Sequence, residues 1–311
     1  MEEAGETEKE NLMRYILSIQ GGGIRGIIPC LMLAKLEQQF NCLTRDWLQS
    51  HDGMVAGTST GALLAACVGS GVPAADALKV YTEQGPRIFS PASDIERKIK
   101  LVAEGHQFDN QALASVVRAT LPNPDVIIDD LPIRVLITAT AMDGNPWYFI
   151  KDAPQNAKTT GRYNLVDAAV ASACATTYHA PWLIPTLGYF ADGGCGGLAD
   201  PVYQAAVEGF CYSDFNPGET RIVSLGTGYY APAAMPAPPR TLLENISWVT
   251  SALVGTSKTF AEQAVDRHWP NVLVSFNPKL PSDIDEADVS QIRALLQIGR
   301  AAAAKMDWTQ L

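Results

Sequence analysis

Asp52-Gly53-Met54-Val55-Ala56-Gly57-Thr58-Ser59-Thr60-Gly61-Ala62-Leu63-Leu64-Ala65-Ala66-Cys67-Val68 carries an apolar, strand-like run into a helix-like one through Gly-x-Ser-x-Gly at Gly57, Ser59 and Gly61. A serine on a sharp strand-to-helix turn is pushed out of the backbone, and only small flanking residues avoid a clash there. The helix after it aims its N-terminal amides and positive dipole end at any anion that forms beside the serine. One reading is a nucleophile on an elbow; the other is a Gly/Thr/Ser turn that merely joins two elements. Five letters alone do not separate them.

Working outward, further apolar runs alternate with helical ones. Tyr15–Ile19 reads as a strand, followed by the glycine-rich Gln20–Gly26 and a helix over Ile27–Phe40, with Pro29 tolerated in its first turn. Pro73 opens a helix with Ala77, Leu78 and Tyr81 on one face. The polar, irregular stretch Gly85–Gln107 looks like an insertion with short helices. Ile133–Ala141 is a buried-strand pattern, and Trp147–Ile150 pairs beside it across an Asp143-Gly144-Asn145-Pro146 turn. Leu165–Cys174 is helical; Gly188–Ala191, Arg221–Leu225 and Val272–Phe276 are further strands, and helical blocks flank the last. Ala231–Pro239 is a loop of polyproline character. This alternation predicts an α/β fold: a mostly parallel central sheet flanked by helices. With no internal repeat and no domain-length linker, residues 13–311 read as a single domain with a C-terminal helical portion, and acidic residues 1–12 as a disordered lead-in.

The chain has 311 residues, 47% hydrophobic and 18% charged, which fits a globular core. Its net charge of −10 argues against nucleic-acid polymers and against docking on anionic membranes through a basic face. No run of apolar residues is long enough for a transmembrane helix, and Met1–Glu10 lacks the basic-then-apolar design of a secretory leader. The six cysteines, Cys30, Cys42, Cys67, Cys174, Cys195 and Cys211, show no metal-ligand spacing and read as buried free thiols of a reducing cytoplasm. No metal site or cofactor is expected from this pattern.

Two other glycine-bounded strand ends bear on the serine. Gly21, Gly23 and Gly26 satisfy Gly-x-Gly-x-x-Gly, and Asp46 lies 20 residues past Gly26, which is the dinucleotide fingerprint of an oxidoreductase. The same glycines can instead turn several amides toward one point as an oxyanion hole. Arg25 adds positive charge there, or serves as a surface ion-pair partner. A dehydrogenase has no need of an elbow serine 36 residues after Gly23, nor of Asp192-Gly193-Gly194 closing a later strand. For the base, none of His51, His106, His179 and His268 sits in a glycine-framed strand end, His179 coming nearest in Tyr178-His179-Ala180-Pro181. Asp192 is better placed, because the glycines after it leave backbone space; its alternative is an ordinary Asp-Gly turn.

Ile19-Gln20-Gly21-Gly22-Gly23-Ile24-Arg25-Gly26, then Gly57–Gly61, then Asp192-Gly193-Gly194, with Ser224-Leu225-Gly226-Thr227-Gly228 later, resemble the patatin-like phospholipases across Arg14 to Gly228. The resemblance implies a three-layer α/β/α fold and a Ser–Asp dyad, with Ser59 as nucleophile and Asp192 as base. It implies an oxyanion hole around Gly22, Gly23, Ile24 and Arg25, and hydrolysis of fatty-acyl esters of membrane phospholipids without a cofactor. The enzyme so implied is cytoplasmic and touches the membrane surface transiently. Some bacterial members are effectors of anti-phage defence switched on by cyclic nucleotides, which makes a cyclic nucleotide activator a partner to test. A serine acyltransferase or thioesterase on the same dyad, and less readily a nucleotide-binding oxidoreductase, are the alternatives. The chain departs from the family twice. Gln20 stands where Asp or Gly is usual, and Cys195-Gly196-Gly197-Leu198-Ala199-Asp200-Pro201 replaces the approach to an Asn-Pro pair. Acyl-chain lining is sought in the Pro181–Ile184 loop and around Ile88-Phe89.

Overall fold

The structure, a computed structural model, describes residues 13–89, 101, 103–151, 160–176, 178–230 and 238–311. The acidic lead-in, most of the expected insertion between Gly85 and Gln107, and most of the Pro/Ala loop lie outside them. The chain builds one eight-stranded sheet in the order β5-β6-β3-β2-β1-β7-β8, with β4 beside β3. The strands are β1 (Arg14–Ile19), β2 (Met54–Thr58), β3 (Arg134–Ala141), β4 (Pro146–Ile150), β5 (Trp182–Ile184), β6 (Gly188–Asp192), β7 (Thr220–Leu225) and β8 (Leu273–Phe276). β1, β2, β3, β7 and β8 run parallel, and β4, β5 and β6 join antiparallel at the β3 side.

Both faces of β1, β2, β3 and β7 are covered, which is why they read as near-continuous apolar runs. Leu17, Ile19, Val55, Val135, Ile137, Val223 and Leu225 point into one core, with helices Ile27–Phe40, Thr60–Ser70 and Leu165–Ala173. The alternate residues Ile16, Met54, Ala56, Leu136 and Ile222 point into a second, smaller core, closed by Val202, Ala205, Ala261 and Val265 of helices Val202–Val207 and Leu242–His268. The expected three-layer arrangement follows from this alternation.

The register of β3 decides where the site falls. β4 occupies one edge of β3 over Leu136–Thr140. The other edge is shared: β2 pairs with it up to Thr58↔Thr138, and β6 takes over at Asp192↔Ala139. The last residue of β6 is thereby delivered to the end of β2, one step from Ser59.

Two expectations need correction. The Trp182 stretch is an edge strand, not a loop, with Trp182 and Ile184 buried and Leu183 outward. Of the cysteines only Cys30, Cys67 and Cys174 are buried; Cys211 is exposed, and Cys42 and Cys195 lie between. Burial pushes the Cys67 thiol up to about 12, as expected of an inert core thiol.

Candidate active site

Ser59 sits between β2 and helix Thr60–Ser70 with φ 56° and ψ −125°. Positive φ in a non-glycine residue costs about 1–3 kcal/mol and persists only where the surroundings impose it. Here they do. A Cβ on Gly57 would lie 2.1 Å from the Gly61 carbonyl, and one on Gly61 would lie 2.0 Å from the Ile19 carbonyl. Strand end, helix start and β1 therefore cross at backbone distance, and the glycines of the motif are what allow it. The Ser59 amide is held by Ser172 Oγ at 2.8 Å. Ser172 is buried in helix Leu165–Ala173, and nothing in the sequence singled it out. Thr60 Oγ1 is tied to the Tyr81 hydroxyl at 2.8 Å.

Asp192 is 4% exposed. Its backbone is fixed by the Cys174 carbonyl, 2.9 Å from its amide, and by Thr140 Oγ1, which donates to its carbonyl at 2.9 Å. Oδ1 accepts from the Gly194 amide at 2.7 Å. Burial raises its pKa to about 7, against the opposing hydrogen bonds of the Ser59 hydroxyl and the Gly194 amide. The residues after it are braced. A Cβ on Gly193 or Gly196 would strike Thr138 Oγ1 at 2.5 Å or Thr140 Oγ1 at 2.6 Å, and the Leu198 carbonyl accepts from Thr58 Oγ1 at 2.6 Å.

Gly21–Gly26 closes the third side. The Gly21 amide donates to the Ala199 carbonyl at 2.9 Å. Among the described residues no hydrogen bond is made by the Gly22 or Gly23 amide. The Ile24 amide, expected to face an oxyanion, donates instead to the Glu286 carbonyl at 2.7 Å. Arg25 is buried and paired with the Glu286 carboxylate, so its charge is already answered. Glu286 comes from a stretch that carried no motif, and nothing in the sequence pointed to it. A Cβ on Gly22 would meet Thr227 Oγ1 at 2.4 Å, and one on Gly23 the Glu286 carbonyl at 2.2 Å. The glycines make space for the chain's own atoms, so their spacing needs no dinucleotide to explain it.

Beside Ser59 lies a cavity of about 40 Å³ lined by Leu63, Val80, Ile88, Phe89, Leu113 and Ala173, with Gly23, Tyr178, His179 and Glu286 at its wall. The Ile88-Phe89 stretch lines it; the Trp182 stretch does not. Among the described residues His179 has no partner for either ring nitrogen, and burial lowers its pKa to about 4. His51 and His268 are bonded to the carbonyls of Trp47 and Ala264, and His106 to that of Glu104.

A serine at positive φ on a strand–helix elbow, beside a buried carboxylate at the end of β6, is an arrangement suited to acyl transfer. A scan against protein families matches residues 17–206 to "Patatin-like phospholipase", and the chain belongs to that family. Among curated relatives, the cGAMP-activated phospholipase of Vibrio cholerae is 31% identical over 189 residues, covering 58% of this chain and 53% of its own. The cUMP-AMP-activated phospholipase of Escherichia coli is 25% identical over 319 residues, covering 95% and 92%. The first relatives are thus matched over little more than half their length. The solved structure of VipD from Legionella pneumophila is 13% identical, with a TM-score of 0.48, over 94% of this chain and 66% of that one.

Proposed function

We propose that this protein hydrolyses fatty-acyl esters of membrane glycerophospholipids through an acyl-serine on Ser59, with Asp192 as the base. The observation that carries the reading is the meeting of Ser59, held at positive φ, with Asp192, whose pKa burial has raised to about 7. A carboxylate with a pKa near neutrality is a competent general base at working pH, whereas an ordinary aspartate is not. Asp192 takes the hydroxyl proton as Oγ attacks the ester carbonyl. The oxyanion that forms is met by the Gly22 and Gly23 amides and by the first amides of the elbow helix, each well-placed donor contributing about 3–4 kcal/mol. The proton passes to the leaving alcohol, and water, deprotonated by the same carboxylate, releases the fatty acid.

Residues 13–311 act as one catalytic unit in this reading. β8 and helix Leu242–His268 lie outside the family-matched residues, yet pack into the same sheet and core. Contact with the membrane surface is transient and apolar, through Trp248 and Phe260 on that helix, 50% and 65% exposed.

The acyl slot is narrow. About 40 Å³ is far below the roughly 300–1,000 Å³ of a ligand pocket, so a substrate chain enters only after the wall moves. A cyclic nucleotide that favours the open state would act as the activator, the role that the names of the relatives describe for those proteins.

The test is release of free fatty acid from a defined panel of phospholipid vesicles, wild type beside Ser59→Ala, with and without cGAMP or cUMP-AMP. Turnover is expected in wild type only and is raised by a nucleotide. Turnover retained by Ser59→Ala sinks the nucleophile. Transacylated product in place of free acid selects the acyltransferase alternative. An unchanged rate with both nucleotides removes the activator.

A further inference from the structure

Lys258 reaches the back of the glycine loop from helix Leu242–His268, outside the family-matched residues 17–206. Its stem is half-buried, and its ammonium is buried beneath the loop. Nζ donates to the Gly21 carbonyl at 2.7 Å and lies 3.4 Å from Thr227 Oγ1. Thr227 Oγ1 donates to the same carbonyl at 2.8 Å. One backbone oxygen therefore receives two side-chain donors, one of them charged. Among the described residues Lys258 makes no ion pair; Glu286, Asp200 and Asp192 act on it only at longer range. A buried ammonium without a contacting carboxylate is costly, and its one short bond is to that carbonyl.

The consequence lies in the geometry of the peptide unit. A trans peptide is planar, so the Gly21 carbonyl and the Gly22 N–H point in opposite directions. With the carbonyl drawn toward Lys258 and Thr227, the Gly22 N–H is turned away from them. It is one of the two loop amides left without a partner among the described residues. Gly21 itself borders the elbow, since a Cβ on it would stand 3.0 Å from Ser59 Cβ. Glycine at positions 21 to 23 gives the loop freedom to rotate this peptide; Gly23, at φ 54°, is in the left-handed region. Something other than backbone preference must then hold it.

We propose that Lys258 is a positioning residue for the oxyanion-binding loop, fixing the Gly21–Gly22 peptide so that its N–H faces the reacting carbonyl of the substrate. The inference rests on the ester-hydrolase reading. It also gives the C-terminal part of the chain a catalytic duty: a donor in the long helix sets a backbone dipole in the first loop.

The experiment uses the full chain with a fluorogenic acyl ester, with cGAMP present if wild type requires it. Lys258→Met, Lys258→Arg and Thr227→Val are compared for kcat, KM and affinity for a trifluoromethyl ketone, which forms a tetrahedral adduct on serine. Misplacement of a catalytic group by about 1 Å costs about 100-fold, so Lys258→Met is expected to lose about that much in kcat with KM unchanged within about twofold. Ketone affinity should fall in parallel, and Lys258→Arg, which keeps a charged donor, should recover at least a tenth of wild-type kcat. Thr227→Val removes the second donor to the same carbonyl and should move kcat in the same direction; it carries the test if Lys258→Met does not fold. A folded Lys258→Met within about threefold of wild-type kcat overturns the inference, as does a loss confined to KM. If wild type neither hydrolyses the ester nor is labelled on Ser59 by a fluorophosphonate, the hydrolase reading has failed instead.

Discussion

Asp192→Asn should make this protein more stable while abolishing its turnover, and the size of the gain follows from the burial of the carboxyl. A free aspartate titrates at 3.8, and burial takes Asp192 to about 7. As pH rises past 3.8 the unfolded chain releases a proton that folded Asp192 keeps until about pH 7. Stability is therefore lost progressively across that window and stays lost above it. At about 1.4 kcal/mol per pH unit, the full cost of ionising Asp192 in place is on the order of 4 kcal/mol. Asparagine keeps an oxygen to accept the Gly194 amide and an NH₂ to meet Ser59 Oγ, so it replaces the side chain without leaving a partner unanswered.

The assay is urea unfolding of wild type and Asp192→Asn at pH 5 and pH 8, beside ester hydrolysis. Wild type and variant should differ by about 2–4 kcal/mol at pH 8 and by about half as much or less at pH 5. The difference between the two proteins isolates this group from Asp200 and Lys258, which burial shifts to about 6 and about 8. A variant equally stable, or less stable, at pH 8 would refute both the buried charge and its use as a base poised near neutrality. In the same frame, the kcat/KM of wild type should rise with an acidic limb near pH 7, not near pH 4.

Two further outcomes concern the elbow and the acyl slot. Ser59→Gly should be more stable than Ser59→Ala by about 1 kcal/mol or more, because only glycine relaxes at positive φ; equal unfolding midpoints would show that the elbow is unstrained. His179 stays neutral down to about pH 4 while the unfolded chain is protonated from 6.5, so stability falls by about 3 kcal/mol over that window. His179→Leu should flatten that part of the stability–pH curve, and an unchanged slope would mean that the ring is solvated.

The elbow and the sheet were legible because their causes are local. Gly57 and Gly61 are glycine for reasons of backbone distance, and β1, β2 and β3 are apolar because both their faces are covered. The meeting of Ser59 and Asp192 was legible only as motif order. The physical cause, β6 succeeding β2 along one edge of β3, is a matter of register between segments far apart in sequence, and single-strand patterns do not carry it. The short strand Trp182–Ile184 was missed because three residues at a sheet edge give too little alternation to tell from a loop. Ser172, Glu286 and Lys258 were illegible for a different reason. Each meets a backbone group through a single atom, Glu286 through its own carbonyl, and such a contact depends on position in space and not on sequence neighbours.

The two departures from the family pattern are one feature when seen in the fold. Gln20 and Asp200 are hydrogen-bonded, Nε2 to Oδ2, at 2.7 Å, and both are buried. Gln20, directly after β1, stands where Asp or Gly is usual in the family, and Asp200 stands where many members approach an Asn-Pro pair; here the two meet as amide and carboxylate. The contact needs one donor and one acceptor and is indifferent to which side supplies them. Asp200 also accepts from Ser18 Oγ at 3.1 Å and from the Val202 amide at 3.0 Å, tying β1 to the start of helix Val202–Val207. Its carboxylate also lies in the field of Lys258, the group that holds the Gly21 carbonyl. The pair therefore braces the back of the glycine loop, and it places a second buried carboxyl, held up to about 6 by burial, among the groups that set its electrostatics.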